Sequence, residues 1–174
     1  RPPEGRVVEV LGDADAPGVD TRIIIRKHGI PDVFSAEAER EAQRLGEHVL
    51  AADCRARTDF RGDVVVTIDG EHARDFDDAV SVTRLENGNF WLSVHIADVS
   101  HYVAEGSALD TDAFERGTSV YFPERAVHMF PPSLATGLCS LRPHVDRLVQ
   151  SCLMEVDAQG QVVRREFHDG LMSS

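Results

Sequence analysis

Four aspartates fall within ten residues, in Thr67-Ile68-Asp69-Gly70-Glu71-His72-Ala73-Arg74-Asp75-Phe76-Asp77-Asp78-Ala79-Val80. No other stretch restricts the folding of this chain as strongly. Crowded carboxylates repel one another at roughly 1 kcal/mol or more per close pair, even when well solvated. A fold keeps such a cluster either by spreading the side chains into water or by gathering them around divalent cations. The apolar run Val64-Val65-Val66-Thr67-Ile68 predicts a buried strand that delivers Asp69 to its C-terminal end, and Ala79-Val80-Ser81-Val82 starts a second strand. The carboxylates are therefore expected on a connection between two core strands, where sites are commonly built.

Regular secondary structure cannot make all four converge. In a strand, Asp77 and Asp78 point to opposite faces; in a helix, Asp75 and Asp78 are neighbours but Asp77 diverges. An irregular loop with Gly70 near its start can fold them onto one centre. The plain alternative is an acidic solvated turn, but apolar runs on both sides pin this loop and favour a metal site. All-oxygen donors suit magnesium, manganese or calcium and not zinc. A calcium EF-hand loop begun at Asp69 fails at position five (Ala73), position six (Arg74 for Gly) and position twelve (Val80 for Glu). What remains is a carboxylate-only magnesium site with coordination positions left for water or phosphate, the usual equipment of phosphoryl transfer.

The chain has 174 residues, enough for one sizeable core, with no run of eighteen apolar residues and no signal-peptide pattern. A cytoplasmic protein with no membrane attachment is expected. The three cysteines are far apart and odd in number, which reads as reduced packing residues. The eight histidines form no H-x-x-x-H pair or Cys/His array. A net charge of −12 argues against a module that simply coats nucleic acid. It leaves room for an enzyme acting on nucleic acid, whose acidic cluster is neutralised locally by cations.

Residues 6–11 alternate like one strand, and Gly12 to Gly18 form a turn-rich break. A short helix is predicted over 20–30, stopped by Gly29 and Pro31, and a second one capped by Ser35 and running to about Leu50. Strands are predicted at 64–68 and 78–86, with Asn87-Gly88 as a hairpin turn into a strand at 89–97. A helix over Leu109–Arg116 precedes an extended stretch, Thr118–Pro123. Pro131-Pro132 opens a short helix to about Leu138, and strands near 148–156 and 161–168 pair across Asp157-Ala158-Gln159-Gly160. The expected class is mixed α/β (α+β), with a largely antiparallel sheet and flanking helices.

The run Val66–Val80 is followed by Val94-His95-Ile96-Ala97-Asp98-Val99-Ser100-His101-Tyr102-Val103 and Gly117-Thr118-Ser119-Val120-Tyr121-Phe122-Pro123. Then come Gly137-Leu138-Cys139-Ser140-Leu141 and Val145-Asp146-Arg147. These blocks, in this order, resemble the ribonuclease II/ribonuclease R family of 3′→5′ exoribonucleases with an RNB catalytic domain. The resemblance implies a remnant of a cold-shock-type β-barrel at 1–12 (its last strand), a helical linker at 13–60 and the N-terminal part of an RNB domain at 61–174. It implies that Asp69, Asp75, Asp77 and Asp78 hold Mg2+ (Mn2+ in its place), with Asp77 the catalytic position most sensitive to loss. It also implies that Tyr121 stacks on a base near the 3′ end of single-stranded RNA; taken alone, Tyr121 reads equally well as a strand residue of the core. His72 stands where the family often has an acidic residue, with slight effect expected. The family's phosphate-gripping arginine and C-terminal barrel lie beyond residue 174, so the isolated stretch is expected to be inactive or weakly active.

The reaction implied is metal-assisted hydrolysis of a phosphodiester to nucleoside 5′-monophosphate. Two other readings compete with it. One is a magnesium-dependent glycosyltransferase with a D-x-D loop, although no Gly-rich phosphate loop lies near the aspartates. The other is an RNA-binding or regulatory RNB fragment without turnover.

Overall fold

A computed structural model describes residues 4–174. Two helices come first, α1 (Val19–His28) and α2 (Ala36–Leu45). The Ser35 hydroxyl caps α2 by accepting from the Ala38 N–H, and Gly46 ends the helix several residues before Leu50. Next come β1 (Thr58–Asp59), β2 (Asp78–Arg84), β3 (Phe90–Ala97), a single turn α3 (Val99–Tyr102) and α4 (Ala108–Arg116). A small hairpin, β4 (Val120–Tyr121) with β5 (Ala126–Val127), precedes a π-turn at Leu134–Leu138. The long strands β6 (Arg147–Val156) and β7 (Val162–Met172) close the chain.

Five strands form one sheet in the order β1-β7-β6-β3-β2, antiparallel except for the parallel pair β1–β7. The β2–β3 turn is the Asn87-Gly88 type expected: Gly88 takes φ 88°, and the Leu85 N–H donates to the Asn89 carbonyl at 2.8 Å. Register puts Ala79, His95, Ser151 and His168 in line across β2, β3, β6 and β7. On this face lie the buried Ala79, Ala97, Val149 and Leu153, which pack with Ala38 and Ala42 of α2, Leu109 of α4, Leu134 and Leu141. On the other face Val82, Ile96 and Phe167 remain exposed. Gly170 of β7 must be glycine, because a Cβ there would lie 2.5 Å from the Phe60 ring.

Two expected strands are absent. Residues 64–68 make one isolated bridge, Val66 to Val80, instead of a buried strand. Only Val65 is buried, while Val64 and Ile68 are 87% and 84% exposed. The β-branched composition favoured a strand, but the segment runs beside the edge strand β2 and leaves it after one bridge. Residues 6–11 have no regular structure and no ladder partner, and Val7, Val8 and Val10 are exposed; a strand needs a neighbour for its backbone groups. Residues 1–3 of that expected barrel remnant lie outside the described residues.

Candidate active site

Asp78 is the first residue of β2, and the Asp77 carbonyl already accepts from the Ala97 N–H at 2.9 Å. The ladder thus fixes the exit of the acidic loop. Upstream, the Val66–Val80 bridge fixes its entry. Residues 67–77 between these points have no regular structure, so their backbone groups need side-chain partners. Ser140 supplies two, donating to the Arg74 carbonyl at 2.7 Å and accepting from the Phe76 N–H at 3.1 Å.

Asp75, Asp77 and Tyr121 line one cavity of about 520 Å³, floored by Ile96, Ala97, Met129 and Phe130. Asp69 and Asp78 lie outside that lining, yet both act on Asp77. Partial burial raises the Asp77 pKa above the ordinary carboxylate value, and the charges of Asp75, Asp78 and Asp69 add to the shift. His128 opposes it. Asp77 itself keeps contact with solvent. Cys139, on the cavity wall, has its thiol pushed up to about 12 by burial and then by the Asp77 charge, which makes it an inert packing group.

Tyr121 is 63% exposed, so it is not the core residue that a strand position allowed. Its hydroxyl donates to Asp75 Oδ2 at 2.5 Å, and this bond pushes the phenol up to about 12. His128 Nδ1 stands 3.6 Å from the same oxygen, and the two rings meet edge to face at 6.4 Å. The β4–β5 hairpin carrying Tyr121 is tied to the N-terminal helical segment at both ends. At its tip, Glu124 accepts from Thr21, and Arg125 pairs with Asp32 at 3.3 Å. At its base, the Arg116 guanidinium lies 3.8 Å over the Phe34 ring and donates to the Pro31, Val33 and His128 carbonyls.

The sequence reading missed His128 and the hydroxyl of Ser140. No pattern marks the histidine; the serine lay inside the quoted Gly137–Leu141 block without an assigned task. Among the described residues, no three carboxylate, imidazole or thiol side chains close on one point at ion-holding distance. Mutual repulsion favours that spread. The donor chemistry itself fits a hard divalent cation: all carboxylate oxygen, with three negative neighbours pushing protons onto Asp77. No helix among the described residues is long and apolar enough to cross a membrane.

Comparison with known proteins bears on this geometry. The RNB domain family matches residues 57–174, and the cold shock domain family matches residues 1–35. Ribonuclease R of Thermotoga maritima is 51% identical over 174 residues, which is 99% of this chain and 24% of that protein. The solved structure of Mycoplasma genitalium RNase R in complex with double-stranded RNA superposes with a TM-score of 0.89 at 31% identity, covering 95% of this chain and 29% of that one. The same protein in complex with ribose methylated single-stranded RNA gives 0.88 at 31% identity, covering 95% and 26%. The chain therefore spans about a quarter of the length of the relatives it matches. Its match over 57–174, together with an acidic loop held between β2 and the Ser140 turn, makes this chain a member of the ribonuclease II/ribonuclease R (RNB) family.

Proposed function

We propose that this chain carries the acidic part of the active site of a 3′→5′ exoribonuclease, hydrolysing single-stranded RNA to nucleoside 5′-monophosphates in the cytoplasm. The observation that carries the reading is the cavity in which Asp75, Asp77 and an exposed Tyr121 ring meet. The ribonuclease R relatives, one of them solved both with double-stranded RNA and with ribose methylated single-stranded RNA, support RNA as the substrate class.

Asp69, Asp75, Asp77 and Asp78 would hold Mg2+ or Mn2+. Bound there, the ion would supply Lewis-acid chemistry for the phosphate and for an attacking water. The chain's own residues do the rest. Tyr121 offers a stacking face for the terminal base, worth about 1–3 kcal/mol and indifferent to sequence. Ile96, Met129 and Phe130 give the cavity an apolar lining beside the carboxylates. In the overall reaction a water oxygen bonds to phosphorus, the bond to the 3′-oxygen breaks, and the shortened RNA keeps a 3′-hydroxyl.

Asp77→Asn in the complete protein tests this. The change removes one charge and one ligating oxygen but keeps the shape, so single-stranded RNA should bind about as before. Misplacement at a reacting centre alone costs about 100-fold, and monophosphate release is expected to fall by more than that. Turnover within about tenfold of wild type would refute the mechanism. Wild-type protein that binds RNA with magnesium present and releases no monophosphate would favour the RNA-binding reading instead.

A further inference from the structure

Ser140 belongs to a block of the chain for which the proposed reaction has no task, and it is fully buried. It follows directly on the π-turn's C-cap residue Cys139, where Gly137 departs from helical geometry. Its hydroxyl is used in both directions. The hydrogen goes to the Arg74 carbonyl at 2.7 Å, and the oxygen accepts from the Phe76 N–H at 3.1 Å. Those two backbone groups stand on either side of Asp75. The next residue, Leu141, donates its N–H to the Phe76 carbonyl at 2.9 Å, and Ala97 does the same for Asp77. On its other side, the Ser140 carbonyl accepts from Arg147 Nε at 2.8 Å, and Arg147 is itself 3% exposed at the start of β6.

A continuous path therefore runs from β6 through Arg147 and Ser140 to the backbone at 74 and 76. The acidic loop has no ladder at these residues, and buried backbone groups left without partners are costly. One small hydroxyl that both donates and accepts is the group able to satisfy a carbonyl and an N–H two residues apart. The backbone is thus held on both sides of Asp75, whose carboxylate is held separately by the Tyr121 hydroxyl.

We propose that Ser140 is a positioning residue that sets Asp75 and Asp77 for catalysis by holding the backbone of residues 74–76. The proposal rests on the reading that these aspartates serve a divalent cation in RNA hydrolysis. Residues of this kind, one step behind the ligands, change metal affinity or activity by about 10–100-fold when lost.

The test uses the complete protein with Ser140→Ala, Ser140→Cys and, as a core control away from the loop, Leu153→Ala in β6. Three quantities are read: the Mn2+ concentration at half-saturation by electron paramagnetic resonance, kcat and KM on single-stranded RNA, and the melting temperature. Ser140→Ala is expected to raise the half-saturating Mn2+ and to lower kcat, each about tenfold or more, with KM for RNA within about threefold. Ser140→Cys fills the same space with weaker hydrogen-bonding groups. It should fall between wild type and alanine, and it serves if the alanine variant does not fold. Leu153→Ala should lower the melting temperature and leave the Mn2+ requirement alone. An unchanged Mn2+ requirement in both Ser140 variants, or the same change in Leu153→Ala, overturns the inference. If Asp77→Asn abolishes turnover while Ser140→Ala matches wild type, only the inference falls; if Asp77→Asn retains turnover, the reading of the site falls and takes the inference with it.

Discussion

Asp98→Asn is expected to cost the fold about 3 kcal/mol, at the lower end of the 3–5 kcal/mol that follows from breaking a buried ion pair by removing one partner. Arg57 Nη2 donates to Asp98 Oδ2 at 2.7 Å, and the two side chains are 10% and 4% exposed. Neutralising Asp98 leaves the guanidinium in a place where water cannot take over. The lower end applies for two reasons. Arg57 keeps a bond from Nε to the Asp53 carbonyl at 3.1 Å. Asparagine also keeps an oxygen for the Ser100 hydroxyl and the His101 N–H, so the cap of α3 survives. Asp98→Ala removes that cap as well and should add about 1 kcal/mol. For a chain of this size, each kcal/mol moves the melting point by about 2–4 °C, which gives a drop of about 6–12 °C for Asp98→Asn by calorimetry. The double variant Arg57→Met/Asp98→Leu should recover most of the loss, since an apolar pair avoids the desolvation cost, and stay about 1 kcal/mol below wild type because leucine also removes the cap. A loss below about 1 kcal/mol for Asp98→Asn, or a double variant as unstable as the two singles summed, would refute the argument.

Two further outcomes can be measured. Burial holds the His95 imidazole below its ordinary value of 6.5, so the folded state favours the neutral ring. Its contribution is complete above about pH 6.5 and is lost as the pH falls from there through the lower folded value; urea titrations across pH 7.5 to 5 should show that decline, and His95→Gln should flatten it. Tyr121→Ala in the complete protein should change the length of the final RNA product and weaken RNA binding by about 1–3 kcal/mol, while Tyr121→Phe, which keeps the ring and loses only the bond to Asp75, should leave the product length unchanged; equal product ladders for all three proteins would remove Tyr121 from the RNA path.

Much of the scaffold was readable because its signals are local. Asn87-Gly88 and Asp157–Gly160 specify their turns within a few residues, and Ser35 specifies a helix start. The run 64–68 misled because β-branched composition says that a segment suits a sheet, and does not say whether a neighbour lies alongside for more than one bridge. At the candidate site, the crowding of the aspartates was visible in the sequence, while the cavity that takes in Asp75 and Asp77 and leaves out Asp69 and Asp78 was not. The Tyr121–Asp75 and Ser140–Arg74 contacts join residues 46 and 66 positions apart, and no local pattern encodes a meeting of that kind.

The parallel pair β1–β7 bears on the order in which this molecule assembles. Hairpins β2–β3 and β6–β7 close short loops and can form early, but Thr58 must find Gly170 across about 110 residues of chain, a closure whose entropy is repaid late. Phe60 seats against Gly170, and this contact is expected to form after β6 and β7 have paired. The turn before β1, together with Arg57, is therefore expected to dock onto a finished sheet. The same pairing should open first in the native state. Amide exchange at Phe60, whose N–H donates to the Leu171 carbonyl at 2.7 Å, is then expected to run ahead of exchange in β3 and β6.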